Sequence, residues 1–212
     1  MGALQYLTFT RPYICFAVNR VCQFMHAPTD SHWAAVKRIL CYLKGTTSYG
    51  FHITRGSSFA LHGFTDVDWA SSIDDRKSTG GYLVFFGQTP ISWKSGKQRT
   101  VARSSTETEY KALADGTAKD IWLQYLLTDL QVPSVSASTI WCDNLGATYL
   151  SANPIFHART KRVAKKEIQI RFVPSRDQLV DVFIESLPVA SFTTFRFKLR
   201  VDPPPSAWGG IL

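Results

Sequence analysis

The apolar period of this chain changes at Tyr49, and that change restricts the fold more than any other feature. Before it, Ile14, Ala17, Val18, Val21, Cys22 and Met25 recur at three- and four-residue steps after Pro12, as in an amphipathic helix. Pro28 interrupts the pattern. A second helical stretch runs from a capping Ser31 through Trp33, Val36, Lys37, Ile39, Leu40 and Leu43 to a terminating Gly45. After Tyr49, the runs Phe59 to Asp66, Gly81 to Gly87 and Pro90 to Lys94 are β-prone and separated by polar, Gly-containing turns, the pattern of consecutive antiparallel strands. A long amphipathic segment then carries Tyr110, Leu113, Ala114, Ile121, Trp122, Tyr125 and Leu126, as one helix or as two broken near Gly116. Thr139 to Cys142 reads as a buried strand, Leu145 to Leu150 as a helical turn or two, and Ile168 to Val173 as a strand. Ser175 to Leu187 reads as a helix opened by a Ser175-x-x-Gln178 capping box, and Asp202 to Leu212 as irregular. Three strands, helix, strand, helix, strand, helix is a mixed α/β plan. Its fourth strand most simply returns parallel to an earlier one by a right-handed crossover.

The 212 residues suffice for one full domain and a smaller accessory piece, and 14 Phe, 6 Trp and 8 Tyr can fill its core. No apolar run approaches the ~20 residues of a membrane span. The opening Met1 to Tyr6 has no basic-then-apolar secretory pattern, and Tyr6 stands where myristoylation requires Ser or Thr. Cys15, Cys22, Cys41 and Cys142 form no C-x-x-C pair, so the expectation is buried, reduced thiols of an intracellular protein and not a zinc site. Lys and Arg number 24 against 16 acids, a net charge of +8. That excess suits a surface that meets phosphates, and equally an ordinary basic protein.

Four acids stand out by position. Asp66 ends the first strand of the sheet and Asp143 ends the fourth. If those strands are parallel neighbours, both carboxylates leave the sheet at the same edge, where open α/β sheets bind ligands. Glu109 lies one turn before Leu113 on the core-facing stripe, with Glu107 about 200° away around the axis. Asp181 lies beside the apolar Val180, Phe183 and Ile184. Carboxylates held close repel each other unless a cation sits between them, and hard oxygen ligands favour Mg²⁺ or Mn²⁺. Each acid also has a simpler reading. Ser104-x-x-Glu107 and Thr106-x-x-Glu109 match capping boxes, Asp143 precedes a helix it can cap, and Asp181 suits a solvated helix face. That all four should fall in this arrangement for unrelated reasons is much less expected than any one of them.

The stretch Thr65-Asp66-Val67-Asp68-Trp69-Ala70, followed by Asp75 to Tyr82, resembles the ribonuclease H region of copia-type LTR retrotransposon Pol polyproteins. So do Ile91 to Lys94, Ser104 to Tyr110, Trp141 to Asn144, His157 to Lys161 and Val173 to Asp181. Leu7 to Pro12 and His32 to Leu40 resemble the segment joining the reverse transcriptase to that nuclease. The resemblance implies a ribonuclease H-like mixed five-stranded sheet flanked by helices, cleaving the RNA strand of RNA–DNA hybrids with two Mg²⁺ or Mn²⁺ ions. It implies Asp66, Glu109, Asp143 and Asp181 as catalytic metal ligands, with the reverse transcriptase portion of the same polyprotein as a partner and no membrane. Residues 1–47 would be the helical connection, 48–188 the nuclease and 189–212 a C-terminal tail.

Arg76, Lys77, Lys94, Lys97, Arg99 and Arg103 are the candidate hybrid contacts. Asp68 reads as a solvated or turn residue before a second carboxylate behind Asp66. His157 reads as structural before a proton shuttle, and Trp69, Trp93 and Trp122 read as core. The chain departs from the family in three places. The segment after Lys161 runs almost directly into the last strand, Tyr13 replaces a usual Asp, and Phe183-Ile184-Glu185-Ser186 replaces a usual Thr-Lys ending. A parallel connection usually needs about 10–12 residues, so the shortening bears on where Asp181 lies. The competing reading is therefore an inactive relic that at most binds nucleic acid.

Overall fold

The computed structural model describes residues 1–53, 59–72, 74–132, 137–152 and 168–203. In chain order, α1 (Gly2–Leu7), α2 (Cys15–Cys22), α3 (Asp30–Gly45) and β1 (Gly50–Phe51) come first. They are followed by β2 (Leu61–Asp68), β3 (Thr79–Phe86), β4 (Thr89–Lys97), α4 (Ser105–Asp129), β5 (Ser138–Cys142), α5 (Leu145–Ala152) and β6 (Ile168–Phe172). The chain closes with α6 (Asp181–Ile184), α7 (Val189–Lys198) and β7 (Val201–Asp202). Two compact units result: Thr54–Glu185, and Met1–Ile53 together with Ser186–Leu212.

In the Thr54–Glu185 unit, one five-stranded sheet has the order β4-β3-β2-β5-β6. β2, β3 and β4 are antiparallel neighbours, while β5 runs parallel to both β2 and β6. This is the mixed sheet flanked by helices that the resemblance implies. The shortened segment after Lys161 and His157 lie outside the described residues. β6 nonetheless stands in parallel register with β5, from Ser138↔Ile168 to Cys142↔Phe172. Helices cover both faces. Successive strand residues point to opposite sides: a Cβ on Gly80 would meet Ala112 of α4, whereas one on Gly81 would come within 2.8–2.9 Å of Val180 and Ile184, at α6. On the α4 side, Leu113, Ile140, Cys142, Ala147 and Ile168 form one buried cluster, and Leu61, Val84 and Leu123 another. Each fully buried Leu or Ile contributes roughly 1.5–3 kcal/mol.

α4 is a single helix. Ser104 caps it, its hydroxyl accepting from the Glu107 N–H at 3.2 Å, and Glu107 turns outward to pair with Lys111 at 2.7 Å. The helix continues through Gly116 because that residue lies against β2, where a Cβ would collide with Thr65 Cγ2. From this contact the buried stripe runs on through Thr117, Asp120 and Leu123. Trp122 (52% exposed), Tyr125 and Leu126 therefore face outward, against the expectation that they belong to the core. Asp120 takes the inner place because its Oδ2 accepts from Ser138 Oγ and from Gln124 Nε2 at 2.8 Å. Trp69 is exposed as well.

The expected helix from Ser175 to Leu187 is replaced by a 3-10 turn at Ser175–Asp177 and the single turn of α6. Gln178 is extended between them, its side chain fully buried and donating from Nε2 to the Thr65 carbonyl at 2.9 Å. Burial of this amide takes precedence over the capping box.

In the other unit, α3 is capped by Thr29, two residues before the expected Ser31, and the Thr29 N–H donates to His32 Nδ1 at 3.1 Å. Residues 189–202, expected within a tail, carry α7 and β7 instead. β7 pairs antiparallel with β1 through Gly50↔Asp202 and Phe51↔Val201. Tyr13, Tyr42 and Phe192 meet edge to face at 5.9–6.4 Å between ring centroids. The Arg11 guanidinium donates to the Thr46 and Thr47 carbonyls at 2.8 and 3.1 Å.

Gly116→Val tests the approach of α4 to β2. The collision with Thr65 should lower stability by about 1–3 kcal/mol, read from urea unfolding. An unchanged midpoint would mean that the helix stands off the strand.

Candidate functional site

The site begins where two paired strands part. The last rung joining β2 to β5 is Thr65↔Cys142, and the next residue on each strand is an acid, Asp66 and Asp143. β2 continues to Asp68 while β5 has ended, so the rim between them is open. Glu109, in the second turn of α4, and Asp181, the first residue of α6, come to this rim from the two faces. Asp66 accepts hydrogen bonds from both Asp181 and Glu109, and a third at 2.7 Å from the Val67 N–H. Asp143 accepts from Ser175 Oγ at 3.0 Å, and its charge acts on the other three acids. Ligand atoms of Glu109, Cys142 and Asp143 all lie within 4.8 Å of one another.

Electrostatics at this rim are those of carboxyl groups deprived of water. Asp66 is 8% and Glu109 5% exposed. Burial raises the Glu109 pKa well above the carboxylate range, and the charges of Asp66 and Asp143 raise it further. Burial likewise raises Asp181, followed by its hydrogen bond and charge interaction with Asp66. Asp66 is also raised by burial, although the bonds it accepts from Asp181 and Glu109 oppose the shift. Glu185 is raised by burial, then by Asp68 and Asp143. Burial pushes the Cys142 thiol up to about 12. In the absence of a cation, Glu109 and Asp181 keep their protons and donate them to Asp66.

This donor set fits a hard divalent cation. Glu109 Oε2 is buried and takes no hydrogen bond, so one acceptor in the cluster is left over. Oxygen ligands predominate, and a cation would take the place of the protons that now hold the acids together.

Three supporting residues were not read from the sequence as part of the site. Gln178, read there as a capping residue, ties the chain three residues before Asp181 to the carbonyl just before Asp66. Ser175, its partner in that reading, bonds Asp143 instead. Ser95 Oγ donates to the Phe183 carbonyl at 2.7 Å, fastening α6 to β4. A polar residue between apolar neighbours, as in Gln178-Leu179-Val180, was the available signal for Gln178.

The candidate phosphate contacts divide. Lys94, Lys97 and Arg99 line one groove of about 800 Å³ with Lys111, between β3, β4 and α4. Lys77 is near them, because it and Lys97 both pair with Asp75, at 3.6 and 2.7 Å. Lys94 pairs with Asp115 at 2.9 Å. Arg76 is exposed in the β2–β3 connection with a positive φ of 51°, and Arg103 precedes α4; neither lines the groove.

Folding raises the pKa of Glu109 and Asp181, so their protons are held more tightly in the folded state. The stability this contributes is complete below the ordinary carboxylate range and is lost as pH rises. Thermal melts with chelator present should therefore show stability falling from about pH 4 upward, with a shallower slope in Glu109→Gln. Stability rising over this interval would overturn the account. Gln178→Leu strips the Thr65 carbonyl of its donor in a dry place. It should cost about 1–3 kcal/mol in urea unfolding, and a neutral effect would remove Gln178 from the scaffold.

No protein-family model matches the chain. It is 44% identical over 223 residues to the retrovirus-related Pol polyprotein from transposon RE2 of Arabidopsis thaliana, which covers 100% of this chain and 15% of that protein. It is 40% identical over 199 residues to that from transposon TNT 1-94 of Nicotiana tabacum, covering 92% of this chain and 14% of that protein. Among solved structures, the N-terminal ribonuclease H domain of a Mycobacterium tuberculosis protein aligns with a TM-score of 0.41 and 11% identity, over 65% of this chain and 98% of that one. That likeness is too distant to bear on chemistry. Among the described residues, no helix is long and apolar enough to cross a membrane. The chain spans about 15% of the length of the curated relatives it matches first. On identity of this order along nearly the whole of this chain, it belongs to the retrovirus-related Pol polyproteins of transposons.

Proposed function

We propose that this part of a Pol polyprotein is a divalent-metal-dependent ribonuclease that cleaves the RNA strand of RNA–DNA hybrids. One observation carries the reading: Asp66 and Asp143 follow the last rung of two parallel strands at a single sheet rim, where Glu109 comes within 4.8 Å of Asp143 and Asp181 acts on Asp66. Asp66, Glu109, Asp143 and Asp181 would hold two Mg²⁺ or Mn²⁺ ions. When bound, such ions acidify water and neutralise charge on the scissile phosphodiester.

The chain's own groups do the rest. Asp66, flanked by Glu109 and Asp181, would be the central ligand; the Val67 N–H donates to its Oδ1, and Gln178 holds the Thr65 carbonyl just before it. To hold the cations, Glu109 and Asp181 would release their protons to solvent. Lys94, Lys97 and Arg99 offer charge to phosphates along the groove, positioning the substrate without reading its bases. Selection of RNA then falls to the 2′-hydroxyls and the width of the minor groove. The reverse transcriptase part of the parent polyprotein, whose product is such a hybrid, is the proposed partner.

Purified chain should cleave a labelled RNA–DNA hybrid in Mg²⁺, and Asp66→Asn should reduce the rate at least about 100-fold, the loss of several kcal/mol of charge stabilisation. Hybrid binding without Mg²⁺-dependent cleavage would replace this reading by that of an inactive relic. No hybrid affinity even at low salt would remove nucleic acid altogether.

A further inference from the structure

Cys142 ends β5 fully buried, one residue before Asp143. Its side chain belongs to the apolar cluster of Leu113, Ile140, Ala147 and Ile168. Yet its Sγ also lies within 4.8 Å of ligand oxygens on Glu109 and Asp143. A sulfur atom thus stands in the wall between the core and the acid cluster. The Asn144 N–H approaches Sγ at 3.5 Å, a donor placed to support negative charge on sulfur. Facing it, Glu109 is 5% exposed with Oε2 buried and free of any hydrogen bond.

Hard cations make little use of sulfur, whereas Zn²⁺ and Cd²⁺ prefer it. We propose that Glu109, Cys142 and Asp143 form a mixed oxygen–sulfur site that takes thiophilic divalent cations in competition with the hard ion. This deepens the metal-centre reading of the same rim and rests on it only in using two of its acids. Ligands around a tetrahedral cation with bonds of about 2.0–2.3 Å lie about 3.3–3.8 Å apart. The three groups therefore need to close by no more than about 1–1.5 Å. On coordination the S–H bond is replaced by a sulfur–metal bond and the proton leaves to solvent; no electrons are transferred.

The test uses the whole chain with the two more accessible thiols removed, as Cys22→Ser and Cys41→Ser. Cd²⁺ is titrated while the ultraviolet sulfur-to-metal charge-transfer band is followed, and Mg²⁺ binding is measured by calorimetry. The band should appear and saturate in this background. It should vanish in Cys142→Ser and in Cys142→Ala, with Cd²⁺ affinity reduced at least about tenfold and Mg²⁺ affinity changed less than about twofold. Glu109→Gln, which keeps the thiol, should also weaken Cd²⁺. A band that survives in Cys142→Ser, or no band in the parent, overturns the site, as does Cd²⁺ affinity indifferent to Glu109→Gln. Binding of Cd²⁺ through Cys142 in a chain that never cleaves a hybrid upholds the site and removes only the nuclease. Cleavage in Mg²⁺ without a Cys142-dependent band does the reverse.

Discussion

Asp66 receives hydrogen bonds from Glu109 and Asp181 in a place that bulk water barely reaches, so these side chains stay together by sharing protons and not by cancelling charge. Such an arrangement is stable only while its members remain protonated or find a cation. Every neighbouring element serves to hold carboxyl groups nearer than they would choose. The Val67 N–H, the Ser175 hydroxyl and the Gln178 amide spend their hydrogen bonds on the acids or on the backbone beside them. The cost of desolvation is met by the packing behind them, where Leu113, Ile140, Cys142 and Ile168 exclude water from the other side.

The backbone makes this crowding possible through lengths and glycines. β5 ends at its last pairing with β2 while β2 runs on to Asp68, which leaves open a rim that a longer β5 would close. Gly116 lets α4 lie against Thr65, and Gly81 lets α6 lie on the opposite face. Glu109 and Asp181 can then reach one carboxylate from two sides of a sheet. The basic groove beside β4 is built differently. Its lysines are tethered to exposed acids, Asp75 and Asp115, so it offers charge in a defined place without a large local excess.

Much of this was legible in the amino-acid order. Strand periodicity located β2, β3 and β4, and acids at the ends of two strands pointed to one edge before their pairing was known. The boundaries of what could be read follow from physics. Hydrophobicity assigned Trp122 and Tyr125 to the core, because nothing local announces that Asp120 will find hydrogen-bond donors in Ser138 and Gln124. Gln178 satisfied a capping pattern three residues from Ser175, while its real partner, the Thr65 carbonyl, is 113 residues away. A local rule has no access to such a partner. The helix and strand after Pro188 were overlooked for a related reason: β7 is two residues long and has meaning only beside β1.

That last pairing has a consequence for how the polypeptide acquires its shape. The unit containing α1, α2 and α3 is finished by residues that follow the sheet domain in the chain: β1 awaits β7, and Tyr13 and Tyr42 await Phe192. During synthesis residues 1–53 therefore remain incomplete while the entire sheet domain is made, with apolar surface uncovered for the interval. Sequence separation of this kind slows assembly and leaves early segments prone to wrong partners. The sheet domain, complete in one continuous stretch, is free to fold first.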